Sequence, residues 1–163
     1  MTEKMKIDNF NPELDLIIER TVETPIELVW AAWTEPKHLV HWFTPAPWKT
    51  IECDIDLRPG GLFRTVMLSP EQTKHENPGS YLEVIPFKKL VFTDAFLPDY
   101  RPSANPFFCA MLFFEVSGNG TKYTAIARHK NIEDCKKHND MGFHDGWNAA
   151  LDQLVAYMKQ KQT

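Results

Sequence analysis

The chain has little of what marks a nucleic-acid-binding, secreted or membrane protein. Its formal net charge is -4 and its pI is about 5.8, without a basic stripe, so we expect no nucleic-acid partner. No run approaches the roughly 18 apolar residues of a membrane span, and the first residues lack the apolar segment of a signal peptide. Cys53, Cys109 and Cys135 form no CxxC pair, and we expect reduced thiols in a cytoplasmic protein without a membrane partner.

Sequence motifs of common catalytic sites are also missing. The chain has no GxSxG, HExxH, P-loop or GxGxxG pattern, and RPGG at residues 58–61 predicts a β-turn rather than a phosphate-binding loop. Four potential metal ligands are close in sequence: His129, Cys135, His138 and His144. The lysines at 136–137 crowd the same helical turn and oppose a cation, whereas zinc needs three or four convergent ligands. We therefore predict a solvated helical turn, no metal and no cofactor.

Apolar and aromatic side chains are plentiful. Of 163 residues, 43% are apolar, with five Trp and eleven Phe, and this length predicts one domain over residues 1–163 with an ordered core at about 14–160. The C-terminal segment 131–159 carries an apolar stripe at helical spacing. The stripe consists of Trp147, Ala150, Leu151, Leu154, Val155 and Met158. Asn131 is placed to cap the helix, with acidic residues in the first turn.

Two glycines interrupt this helical pattern. Gly142 and Gly146 lie four residues apart, and each costs about 1 kcal/mol relative to Ala inside a helix. One interpretation is a join between a short helix ending near Asn139 and a longer one starting near Asp140. The other is that bare backbone leaves room for a molecule beneath the helix.

The remaining chain reads as strands with two short helices near the start. A capping box at Thr24–Glu27 opens the first helix, and Pro36 opens a second through His41. Alternation and turn signals predict strands at 14–22, 50–57, 62–68, 81–85, 89–96, 107–116 and 121–129, with 69–78 as a loop. Short turns between consecutive strands indicate an antiparallel α+β fold. We expect a curved sheet of six to seven strands around the long C-terminal helix, with a cavity between them.

Several segments resemble a known family. TPIELVWAAWTEPKHLVHWF, CDIDLRPGGLFR, GSYLEVIPFKKLVFTDAF and MGFHDGWNAALDQLVAYM are similar to the START-like helix-grip superfamily (SRPBCC), in the branch of the activator of heat-shock-protein-90 ATPase. The resemblance covers about residues 14–160. It implies a helix-grip fold around a cavity, a frame that serves lipid carriers, cyclases and hormone receptors alike. The eukaryotic co-chaperone has an additional N-terminal domain for which this chain has no room, so a chaperone partner is not expected.

The candidate ligand site is at one end of this cavity. Its predicted residues are Trp42, Phe43, Trp48, Asp94, Phe96, Phe108, His129, Phe143, His144 and Trp147. The aromatic members predict either an apolar small-molecule pocket or a filled core. The proline-rich loop 98–106 is placed to cover the entrance.

Three polar members of this set offer a second interpretation. Asp94, His129 and His144 could orient a ligand or act as acid and base, and a carboxylate on the concave face would need a partner or a proton. Alternatively, they are a loop-end carboxylate and two histidines at the cavity rim or on the surface.

The segment 107–114, FFCAMLFF, is apolar on both strand faces, which predicts either an outer cover or a homodimer interface. The leading functional hypothesis is therefore binding of a small hydrophobic molecule. A cyclase or hydrolase acting in the same cavity, and a chaperone-activator-like interaction module, are the alternatives.

Overall fold

A seven-stranded antiparallel sheet forms the frame of the molecule. The computed structural model describes residues 9–162. The strands are β1 (Asp15–Val22), β2 (Lys49–Ile55), β3 (Leu62–Leu68), β4 (Lys74–Ile85), β5 (Lys89–Thr93), β6 (Phe96–Leu97), β7 (Arg101–Pro102), β8 (Cys109–Ser117) and β9 (Gly120–Arg128). Their order in the large sheet is β1-β9-β8-β5-β4-β3-β2, and β6 pairs with β7 in a separate ribbon. The predicted antiparallel α+β fold is confirmed.

Four helices complete the fold: α1 (Ile26–Thr34), α2 (Pro36–Leu39), α3 (Ile132–Asp140) and α4 (Phe143–Lys161). Asn131 caps α3 by accepting a hydrogen bond from the Asp134 amide at 2.7 Å, as predicted. The predicted capping box of α1 is wrong, because Pro25 is its N-cap and no side chain caps it. Thr24 is buried instead, and its carbonyl accepts a hydrogen bond from Thr121 Oγ1 at the start of β9.

Strand boundaries differ from the predictions on both sides of β4 and β5. Residues 74–78, predicted as loop, belong to β4 and pair with β3 in register from Leu68↔Lys74. Backbone hydrogen bonds to β3 hold this stretch in the sheet, and its side chains are exposed. Alternation of apolar and polar residues is therefore not needed here, and the sequence shows none. The strand predicted to continue to Phe96 ends at Thr93. There the Thr93 hydroxyl donates to the Phe108 carbonyl and accepts from the Ala95 amide, which turns the chain.

The core lies between α4 and the concave face of the sheet. Ala150, Leu151, Leu154 and Met158 of the predicted stripe are buried. Strand β9 contributes small buried residues, such as Ala125 and Ala127, to the core. Their size allows the close approach of a helix. The wrapped arrangement predicted for sheet and helix is therefore confirmed.

The doubly apolar strand β8 alternates in burial. Ala110, Leu112 and Phe114 are buried in the core, whereas the outward residues between them are half-buried. Neighbouring strands cover those outward side chains in part, since Lys89 Nζ lies 5.4 Å above the Phe113 ring. The homodimer therefore stays a prediction.

Two further predictions concern the chain as a whole. The single domain predicted over residues 1–163 extends beyond the described residues at both ends, so this prediction stays untested. Within residues 9–162, no helix combines the length and apolar character needed to cross a bilayer.

Candidate functional site

Two adjoining chambers open along the sheet, and the first of them is also lined by residues of the helices. The first, here called the aromatic chamber, has a volume of about 410 Å³. Its walls are Trp33, Trp42, Phe43, Pro45, Met67, Phe92, Phe107, Phe108, His138, Met141, Gly142, Phe143, Gly146, Trp147 and Ala150. The second, the polar chamber, has a volume of about 470 Å³ and lies against β3, β4 and the loop after β5. Its polar walls include Thr65, Asn77, Thr93, Asp94, Ser103 and Asn105.

The two chambers share one wall. Phe43, Met67, Phe92 and Phe108 border both of them. Because the inward side of β3 runs from Phe63 through Thr65 to Met67, apolar and polar side chains alternate along this wall.

Two of the three indole rings that line the aromatic chamber are held by hydrogen bonds at their polar ends. Trp42 Nε1 donates to the Ala32 carbonyl at 3.1 Å, and Trp147 Nε1 donates to the Tyr123 hydroxyl at 2.8 Å. Trp33 lies between them, with ring centroids 4.9 Å from Trp42 and 6.3 Å from Trp147. Burial raises the pKa of Tyr123, so its hydroxyl stays protonated. Anchored aromatic rings keep a wall in place without filling the space in front of it.

The join between α3 and α4 opens one side of this chamber. Gly142 is the N-cap of α4 with φ of 93°, a left-handed conformation that favours glycine. Gly146 lies one turn into α4, where an added Cβ would meet only Pro45 Cγ, at 4.0 Å. The predicted join is confirmed, and Gly146 also leaves bare backbone in the chamber wall.

A pair of histidines lies beside the chamber. His129 is buried, and its Nδ1 donates to the Leu14 carbonyl at 2.8 Å. Its Nε2 lies 2.8 Å from Nδ1 of His138, a residue in the chamber wall. Burial and the neighbouring His129 lower the pKa of His138 to about 4, so it is neutral at physiological pH.

Sequence reasoning treated His138 only as a possible metal ligand and missed its place in the wall. The available signal was its spacing of i, i+3 from Cys135, since Cys135 is the buried residue of α3. Among residues 9–162, no three His, Cys, Asp or Glu side chains converge as a metal site.

Asp94 belongs to the polar chamber and holds the loop above it. Its Oδ1 accepts hydrogen bonds from the amides of Phe107 and Phe108, at 2.8 and 3.2 Å. Ser103 Oγ donates to the Asp94 carbonyl at 2.6 Å. The partner that a carboxylate at this position needs is thus supplied by loop backbone, and Asp94 is not on the wall of the aromatic chamber.

The structure brings only part of the predicted site together. Five of the predicted residues line the aromatic chamber: Trp42, Phe43, Phe108, Phe143 and Trp147. Four others line neither chamber: Trp48, which contacts His75 at 5.2 Å between ring centroids, Phe96 in β6, His129, which bonds to the wall residue His138, and the exposed His144. Asp94, His129 and His144 line no common chamber, so the acid–base grouping does not converge. Ligand contact by the remaining residues stays a prediction.

Comparisons with known proteins agree with this architecture. The family model described as activator of Hsp90 ATPase homolog 1-like protein matches residues 23–159. A crystal structure of a protein from Nitrosomonas europaea is 42% identical, with a TM-score of 0.92 over 94% of this chain and 99% of that chain. A crystal structure from Rhodobacter sphaeroides is 19% identical, with a TM-score of 0.80 over 93% of this chain and 96% of that one. The chain has no significant match among curated proteins.

An AHSA1-like protein from Aeromonas hydrophila, solved by NMR, is 21% identical, with a TM-score of 0.65 over 91% of this chain and 94% of that one. At such identities the likeness concerns the fold alone, and the shared fold names no ligand.

Proposed function

We propose that this chain, which belongs to the family of activator of Hsp90 ATPase homolog 1-like proteins, binds a small, largely apolar molecule in its aromatic chamber. The observation that carries the proposal is an open space of about 410 Å³ with walls that include Trp, Phe and Met side chains. Pockets of this size and composition are the usual form of small-molecule sites.

The shape of the wall supports binding rather than simple packing. Phe108 and Phe143 are held by neighbouring rings, with His138 within about 5 Å of both. Gly146 presents backbone where any larger residue would project toward Pro45. Burying an apolar ligand of about 150 Å² in such a space contributes on the order of 4 kcal/mol before the costs of association. A cytoplasmic location is part of the proposal, because all three cysteines are free thiols.

A panel of apolar and aromatic compounds tests this proposal through tryptophan fluorescence and melting temperature. Three of the five tryptophans line the chamber, so a bound ligand should quench or shift the emission and raise the melting temperature. Replacement of Trp48, which lies outside the chamber, should leave the response intact.

A substitution that fills the aromatic chamber tests whether the ligand binds there, and an exposed substitution on the same helix is its control. Gly146→Leu should place a side chain in the chamber and weaken binding at least ten-fold, whereas His144→Leu on the exposed side of the same helix should bind normally. If no compound changes fluorescence or melting temperature in the unmodified protein, the proposal fails.

The chaperone-related alternative stays a prediction, to be tested by pulldown with a chaperone middle domain.

A further inference from the structure

The hydrogen bonds of the histidine pair fix which nitrogen carries each proton. A carbonyl oxygen can only accept, so His129 Nδ1 carries the proton that it donates to Leu14. In neutral His129 the other nitrogen, Nε2, is therefore an acceptor. His138 Nδ1, 2.8 Å away, must be the donor in that bond. Neutral His138 consequently has its lone pair on Nε2.

This lone pair has no protein partner within the described part of the chain. Within residues 9–162 the His138 ring is hydrogen-bonded through Nδ1, and its centroid lies 5.0 to 5.1 Å from the ring centroids of Phe107, Phe108 and Phe143. Among the described residues that line the aromatic chamber, His138 is the one ionisable side chain. A hydrogen-bond acceptor in apolar surroundings loses free energy when a ligand excludes water without replacing its hydrogen bond.

We infer that the molecule bound in the aromatic chamber carries a hydroxyl or N–H group, which it donates to Nε2 of His138. The inference rests on the proposed function and narrows the ligand to aromatic or alicyclic compounds with one hydrogen-bond donor, such as phenols, indoles and related alcohols. The low pKa of His138 keeps the acceptor form at neutral pH. The hydrogen bonds from His138 Nδ1 to His129 and from His129 to the Leu14 carbonyl keep the proton of neutral His138 on Nδ1, so Nε2 carries no N–H.

A pair of ligands that differ only in the donor tests the inference. We expect 2-naphthol to bind the unmodified protein at least about ten-fold more tightly than 2-fluoronaphthalene, which has similar size and no donor. In His138→Phe this ratio should fall to about one, while 2-fluoronaphthalene still binds, because the ring volume is kept. His144→Phe, on the exposed side of α4, should retain the full ratio.

A measurement on the unmodified protein covers the case in which His138→Phe fails to fold. In ¹⁵N NMR of the imidazoles, 2-naphthol should shift the Nε2 resonance of His138, whereas 2-fluoronaphthalene should shift it much less. Equal affinities, or equal shifts, with both compounds bound would overturn the inference and leave the proposed function standing. Absence of binding by either compound, together with no response in the wider panel, would overturn both.

Discussion

Gly142 and Gly146 provide a test in which the same substitution has opposite effects four residues apart. Gly146 lies inside α4, where its amide donates to the Gly142 carbonyl at 2.7 Å and an added Cβ meets nothing closer than 4.0 Å. Gly146→Ala should therefore stabilise the protein by up to about 1 kcal/mol, the helix-propensity difference. Gly142 has φ of 93°, where a Cβ costs about 1–2 kcal/mol. Reduced entropy of the unfolded chain offsets about 0.4–1 kcal/mol of this. Gly142→Ala should therefore destabilise the protein by about 1 kcal/mol.

Urea denaturation and calorimetry can resolve these changes. A free-energy change of about 1 kcal/mol shifts the melting temperature by roughly 2–4 °C in a domain of this size, upward for Gly146→Ala and downward for Gly142→Ala. The double variant should lie close to the unmodified protein, because no side-chain contact couples the two positions. A destabilised Gly146→Ala would refute the reasoning, since it would mean that the chamber wall is packed at this point.

Two further predictions concern the polar groups next to the chamber. The pKa of His138 is lowered from 6.5 to about 4 in the folded protein. The contribution of neutral His138 to the free energy of unfolding is therefore fully present above pH 6.5 and is lost as the pH falls toward 4. The slope is at most about 1.4 kcal/mol per pH unit and is reduced by partial solvent exposure of the ring. In chemical denaturation His138→Phe should flatten this slope, leaving the smaller contribution of His38, whose pKa is also lowered; an unchanged slope would contradict the assignment. In a double-mutant cycle, Tyr123→Phe and Trp147→Phe should show a coupling of about 0.5–1.5 kcal/mol, and zero coupling would exclude their hydrogen bond as a stabilising contact.

Local periodicity was enough to predict the frame of the molecule. The stripe on α4, the cap at Asn131 and the break near the glycines follow from residues close in sequence, because helical spacing and capping act over a few residues. Residues 74–78 were missed for a related reason. Backbone hydrogen bonds to β3 hold them in a strand without apolar side chains, so no pattern marks the pairing.

The polar part of the candidate site could not be predicted, because each contact joins elements that only the fold brings together. Asp94 was expected to face an apolar cavity, yet its carboxylate is satisfied by amides thirteen and fourteen residues later. His138 is hydrogen-bonded to His129, which follows β9, and His129 is hydrogen-bonded to the carbonyl of Leu14, which precedes β1. No single helix or strand contains this chain of hydrogen bonds.

Two residues in the wall of the aromatic chamber, Gly146 and His138, could be replaced by residues that stabilise the folded protein more. Alanine at 146 would strengthen α4 by up to about 1 kcal/mol without a clash, and an apolar residue at 138 would remove an acceptor without a protein partner. Both destabilising residues are in the wall of the aromatic chamber. The face of α4 that closes the core consists instead of buried apolar residues. Because local departures from the most stable choice cluster where a protein functions, their coincidence favours binding in this chamber over passive packing. Under the proposed function the two residues have separate roles, in which Gly146 would provide the space and His138 would select the ligand.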